Sequence, residues 1–120
     1  MPSIAIIGAS KDKSKFGNKA IHVYRGIGYT IYPINPKESE IEGLKTYKSI
    51  LDLPVKELEM VSLYLAPELG MKVIEDIAKI KVEEVWLNPG AESDELVEKG
   101  EALGLNIIQA CSIVAAGSKA

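Results

Sequence analysis

Short runs of consecutive apolar residues alternate along this chain with longer stretches in which apolar positions recur every three or four residues. The first run, Ile4 to Ile7, is closed by Gly8. Four residues are too few for periodicity to decide, but the β-branched content and the closing glycine favour a buried strand. Gly17 to Ile27 follows the helical period, with Ala20, Ile21, Tyr24 and Ile27 on one face and Gly26 and Gly28 marking its end. Thr30 to Ile34 reads as a second strand; Pro33 and Pro36 bracket its exit, because proline cannot donate to a central ladder. Glu59 to Leu65 is a third strand. Pro67 then opens a helix, where its missing N–H costs nothing, and Leu69, Val73, Ile74, Ile77 and Ile80 form that helix's apolar stripe. Glu84 to Leu87 is a fourth strand, ended by Asn88-Pro89-Gly90. Ser93 caps a further helix that Gly104 ends, and Asn106 to Ala110 is a fifth strand. Between Glu38 and Leu53 the pattern is weaker: Glu42-Gly43 predicts a turn, and Ser49 to Leu53 one or two helical turns. From Ser112 the chain reads as a short tail without a pattern.

Strands that alternate with helices imply right-handed crossovers and a parallel sheet covered on both faces. The expected fold is therefore α/β, a Rossmann-like three-layer sandwich with a five-stranded, mainly parallel sheet. The length of 120 residues suits one domain over 1–120. Ligands of such sheets sit beyond the carboxyl ends of the strands, where the strand order reverses. Four strand exits carry small residues or proline: Gly8-Ala9-Ser10, Pro33 to Lys37, Ala66-Pro67 and Asn88-Pro89-Gly90. Each alone is ordinary turn chemistry. Together they outline a floor on which an extended ligand can approach backbone.

Composition narrows the classes. The chain is 47% hydrophobic and 26% charged, with a net charge of −3. That balance is ordinary for a soluble globular protein and argues against a general nucleic-acid partner, which needs a strong basic patch. No apolar run approaches the roughly 20 residues of a membrane span, and no leader pattern precedes Ile4, so neither a membrane nor a secretory route is expected. The lone Cys111 allows no intramolecular disulfide, which suits a reducing, cytoplasmic location.

The first turn limits the ligand. A dinucleotide fingerprint starting at Gly8 would need glycines at 10 and 13, where the chain has Ser10 and Lys13. A longer loop through Lys11, Asp12, Ser14, Lys15 and Phe16 leads instead to Gly17-Asn18. It still ends at a helix N-terminus, whose free N–H groups favour phosphate. At the exit of the second strand, Asn35-Pro36-Lys37 stands where NAD-binding domains place an acid for the ribose hydroxyl. A lysine there suits a ribose phosphate. Coenzyme A and NADP both carry one, and both stay open on this reading; NAD is disfavoured.

An ordered set of short motifs goes further. Ile-Gly-Ala-Ser at 7–10, Lys-Phe-Gly-Asn-Lys at 15–19 and Gly-Tyr at 28–29 are followed by Tyr-Pro-Ile-Asn-Pro-Lys at 32–37 and Ile-Glu-Gly at 41–43. Asp-Leu-Pro at 52–54 and Trp-Leu-Asn-Pro-Gly-Ala-Glu-Ser at 86–93 complete it. The chain in this respect resembles the small, single-domain CoA-binding proteins, which are similar to the N-terminal CoA-binding domain of the succinyl-CoA synthetase α subunit. The resemblance implies that Gly8, Ala9, Ser10, Lys15, Phe16, Gly17 and Asn18 form the loop around the CoA phosphates. It implies that Pro36 and Lys37 meet the adenosine end and its 3′-phosphate. Ala66, Pro67, Asn88, Pro89 and Gly90 would line the remaining sheet edge. The family more often has Gln where this chain has Asn88, and often Gly-Pro-Cys where this chain has Gln109-Ala110-Cys111.

Little in the sequence points to catalysis. His22 is the only histidine and falls inside the first helix, where it reads as a structural or surface residue. Single Cys and His residues offer no metal-ligand spacing. A complete acyl-CoA synthetase needs further domains, which 120 residues do not accommodate. The expected function is binding of CoA or an acyl-CoA without catalysis; an NADP-dependent oxidoreductase module and a ligand-free regulatory domain are the alternatives.

Overall fold

The computed structural model describes residues 2–119. Strands β1 (Ser3–Ile7), β2 (Thr30–Ile34), β5 (Glu57–Leu63), β6 (Lys81–Leu87) and β7 (Ile107–Gln109) form one sheet in the order β2-β1-β5-β6-β7, all neighbours parallel. This is the Rossmann-like α/β sheet expected from the pattern. The helices are α1 (Phe16–Gly26), α2 (Pro67–Ile77), α3 (Asp94–Ala102) and α4 (Ser112–Ala115).

The apolar runs are nearly continuous because both sheet faces are covered. Alternate residues of β1 part company: Ile4 and Ile6 join Ala20, Ile21 and Tyr24 of α1 on one face, whereas Ala5 and Ile7 join Ile74, Ile77 and Leu96 of α2 and α3 on the other. Ser93 caps α3 as expected, its hydroxyl accepting from the Leu96 N–H at 3.1 Å. No helix among the described residues is long and apolar enough to cross a membrane.

Several segments extend or depart from the sequence expectation. Strands β5 and β6 begin earlier than the apolar runs, at Glu57 and Lys81, because parallel pairing extends the ladder through alternating charged positions. The weak stretch from Glu38 contains a small hairpin, β3 (Glu40–Ile41) with β4 (Leu44–Lys45), and a 3₁₀ turn at Ile50–Asp52. Glu42 and Gly43 have φ of 53° and 77°, the positive values of a two-residue hairpin turn. The C-terminal stretch is not a loose tail. It forms α4 and a 3₁₀ turn at Ala116–Ser118, and Ala116 is buried against the α1 layer. The Tyr24 hydroxyl donates to the Ser112 carbonyl at 2.5 Å and ties this segment down.

Candidate functional site

The strand order reverses between β1 and β5, so the exits of these strands flank the crevice in which α/β sheets hold ligands. Gly8 sits at that point with φ +92°. A Cβ there would lie 2.8 Å from the Tyr64 carbonyl oxygen, just past β5. Gly17 is tighter still: a Cβ would lie 2.2 Å from the Gly8 oxygen. The two glycines let the start of α1 rest directly on the β1 exit.

Two depressions meet there, sharing Gly8 and Leu65. The first has a volume of about 450 Å³ and lies on the β2 side. Its walls are apolar, with Ile7, Ile34, Ile50 and Val73 among them, and Lys48, Lys72 and Asp76 also contribute. Pro36 and Asn35 close its rim. The second, about 350 Å³, runs past Lys15, Phe16 and Gly17 to Ala66, Pro89 and Gly90, with Tyr64 and Ala91 beneath. Together they make one trough along the carboxyl edge of the sheet.

The loop before α1 is held by its own polar groups. Ser10 Oγ accepts from the Asp12 N–H at 3.0 Å, and Asp12 Oδ1 accepts from the Ser14 hydroxyl at 2.6 Å and its N–H at 2.9 Å. The Ser14 hydroxyl, then its N–H, hold the Asp12 carboxyl below its ordinary range. Asn35 Nδ2 donates to the Ala9 carbonyl at 2.8 Å, and Asn35 Oδ1 accepts from the Lys37 N–H at 2.8 Å, so the β1 and β2 exits are laced together. Lys15 stands at the N-cap of α1 with no side-chain acceptor, which leaves first-turn N–H groups for an anion.

The structure brings Gly8, Lys15, Phe16, Gly17, Pro36, Ala66, Pro89 and Gly90 onto the walls of the trough. Six expected residues stand behind or beside it. Ala9 and Asn18 are buried, Ser10 turns its hydroxyl into the loop, and Pro67 is the first residue of α2. Lys37 is exposed beside Pro36, off the cavity wall. Asn88 is a buried strut: its Nδ2 donates to Ser62 Oγ at 2.8 Å and to the Leu63 carbonyl at 2.7 Å, and its Oδ1 accepts from the Ser112 N–H at 2.9 Å. Ser112 Oγ in turn lies 2.8 Å from Ser62 Oγ and 3.1 Å from the Tyr64 hydroxyl. His22 sits half-exposed on α1, with Nε2 3.1 Å from Glu42 Oε1.

Sequence reasoning missed Lys48, Ser49 and Ile50, which arrive through the weakly patterned 38–53 stretch, and the flank of α2. The sequence pattern shows only an apolar stripe on α2. Yet Leu69 is 47% exposed and lines the first cavity with Lys72, Val73 and Asp76, at i, i+3, i+4 and i+7. That spacing was the available signal, since it puts two apolar and two charged side chains on one face next to a strand exit.

The sequence matches the CoA binding domain family over residues 2–117. It is 39% identical over 77 residues to the ADP-forming acetate–CoA ligase of Methanocaldococcus jannaschii, covering 64% of this chain and 11% of that one. It is 29% identical over 115 residues to the ADP-forming acetate–CoA ligase I of Archaeoglobus fulgidus, covering 88% of this chain and 17% of that one. The chain thus corresponds to a small part of these ligases. Among solved structures it is similar to a hypothetical protein from Pyrococcus horikoshii OT3, with a TM-score of 0.88 and 32% identity, covering 97% of this chain and 81% of that one. It is also similar to the dinucleotide-forming acetyl-coenzyme A synthetase 1 of Ca. Korarchaeum cryptofilum solved with phosphate and ADP, with a TM-score of 0.77 and 30% identity, covering 90% of this chain and 25% of that one. Because the family match runs unbroken from residue 2 to residue 117, through every strand exit that shapes the trough, this chain belongs to the CoA-binding domain family.

Proposed function

We propose that this domain binds coenzyme A, free or acylated, in an extended pose along the carboxyl edge of its sheet, and performs no catalytic step of its own. The observation that carries the reading is the continuity of the trough through Gly8. CoA presents an adenine with a ribose 3′-phosphate, a diphosphate and a pantetheine arm, in that order. The first cavity, at about 450 Å³, is within the usual range for small-molecule sites, and its aliphatic walls suit a flat base. Lys48 and Lys72 on its walls, with Lys37 beside Pro36, supply cations for the 3′-phosphate. The diphosphate lies at Gly8 and Gly17, where α1 rests directly on the β1 exit and its first turn has no side-chain cap on its N–H groups. The arm passes Tyr64, Ala66 and Pro89. Ala9, Ser10, Asn18 and Asn88 serve this site by shaping its loops and floor, and Pro67 by starting α2 beside it.

Titration calorimetry with CoA, dephospho-CoA and NADP in parallel tests the proposal. CoA binds tightest, and dephospho-CoA binds more weakly for want of the ribose phosphate. Tighter binding of NADP than of CoA overturns the reading in favour of a dinucleotide site.

A further inference from the structure

The β3–β4 hairpin lies outside the trough, yet its tip is connected to the loop that precedes α1. Glu42 holds φ 53°, a left-handed conformation that glutamate has no intrinsic reason to adopt. Three contacts keep it there, all from α1. Its Oε2 accepts from Asn18 Nδ2 at 3.0 Å, its Oε1 lies 3.1 Å from His22 Nε2, and its carbonyl accepts from Arg25 Nη2 at 2.9 Å. Asn18 is 1% exposed, and the same Nδ2 also donates to the Ser10 carbonyl at 2.9 Å. One buried amide therefore spends both its N–H groups bridging the hairpin tip to the start of the loop.

We infer that Glu42 is a positioning residue for ligand binding. By fixing the Asn18 amide it holds the Ser10–Lys15 loop against the N-terminus of α1, where the diphosphate lies. The inference rests on the CoA reading above. An amide with both N–H groups engaged has one orientation; with the carboxylate gone, Asn18 can rotate and the Ser10 anchor loosens. The effect is local, because the rest of the sheet edge is held by Asn35 and Asn88 instead.

The test uses the whole chain with two substitutions. Glu42→Gly suits the left-handed turn and removes the carboxylate; Glu42→Gln keeps an acceptor for Asn18. Calorimetry compares CoA with adenosine 3′-monophosphate, which carries the base and ribose phosphate but no diphosphate. Glu42→Gly weakens CoA about tenfold, leaves adenosine 3′-monophosphate within about twofold, and Glu42→Gln recovers most of the loss. Hydrogen exchange without ligand shows faster exchange at residues 12–15 in Glu42→Gly, with β5 unchanged. Equal losses for both ligands, or an unchanged CoA affinity, overturn the inference. If the wild-type protein binds no CoA, the CoA reading falls by itself. The positioning role is then decided by exchange alone, and unchanged rates at residues 12–15 remove it.

Discussion

Gly17→Ala is the sharpest probe of the trough's construction. A Cβ at this position would stand 2.2 Å from the Gly8 carbonyl oxygen and 3.3 Å from Ala9 Cα. Carbon–oxygen contacts ordinarily settle near 3.3 Å or more, so about 1 Å of separation must be found. The Gly8 carbonyl has little room to yield. Its residue's N–H donates to the Ile34 carbonyl at 3.2 Å, and the preceding Ile7 carbonyl accepts from the Tyr64 N–H at 2.8 Å, so the chain is pinned on both sides. The helix is no freer, since Ala20, Ile21 and Tyr24 are fully buried under it. Overpacking of this kind costs about 1–3 kcal/mol. Alanine regains at most about 1 kcal/mol over glycine inside a helix, and less in the first turn. A net loss of about 2 kcal/mol lowers the melting temperature of a domain this size by roughly 8 °C. Gly100→Ala is the comparison: its Cβ would meet Ile107 Cδ1 at 2.6 Å and Cγ1 at 2.9 Å, side-chain atoms of a partly buried residue rather than backbone, so the loss is smaller. Scanning calorimetry of both variants decides the matter. A Gly17→Ala protein that melts with the wild type, or above Gly100→Ala, refutes the close approach of α1 to the β1 exit.

The lysines separate by position. Lys72→Ala narrows the preference for CoA over dephospho-CoA about tenfold, and Lys37→Ala narrows it less, because Lys72 lines the cavity and Lys37 does not. Calorimetry checks this, and a larger effect at Lys37 places the ribose phosphate outside the cavity. Asn88→Ala strands the Ser112 N–H in the interior, while the Leu63 carbonyl keeps the residue-88 backbone N–H, and costs about 1–3 kcal/mol in chemical denaturation; an unchanged midpoint excludes a structural role for that amide. Acid should destabilise the fold. Asp12, Glu42 and Glu75 are held below their ordinary ranges, chiefly by hydrogen bonds from Ser14, Asn18 and Lys99 respectively. A carboxyl with a depressed folded pKa contributes stability above its unfolded value, and loses it as pH falls through the folded one. The melting temperature therefore holds at neutral pH and declines below about pH 4, with Glu42→Gln flattening part of the decline. Burial, with smaller electrostatic contributions, pushes the Tyr24 phenol up, so the same linkage removes stability as pH rises above about 10.

Much of the fold was legible in the chain because local chemistry wrote it. Apolar runs closed by glycine or proline became β1, β2 and the cores of β5 and β6. Pro67 and Ser93 opened their helices, and the absence of a glycine-rich dinucleotide turn stood out without coordinates. The two glycines that shape the crevice were also visible as residues. What they do was not: a sequence shows that Gly17 lacks a Cβ, but only the packing of α1 on β1 shows what that Cβ would strike. The same holds for the cavity's cations. Lys48 and Lys72 lie far apart in the chain and meet because β1 is sandwiched between β2 and β5, a pairing set by sheet order and not by local pattern. The C-terminal helix was illegible because four residues carry too little periodicity, and its place is fixed by Tyr24 and Ser62 from other elements. Sequence by itself determined the alternation, the exits and the candidate ligand. Tertiary structure decided which side chains face the trough and which, like Asn18 and Asn88, hold it in shape, because buried amides are recruited by whatever backbone the fold brings within reach.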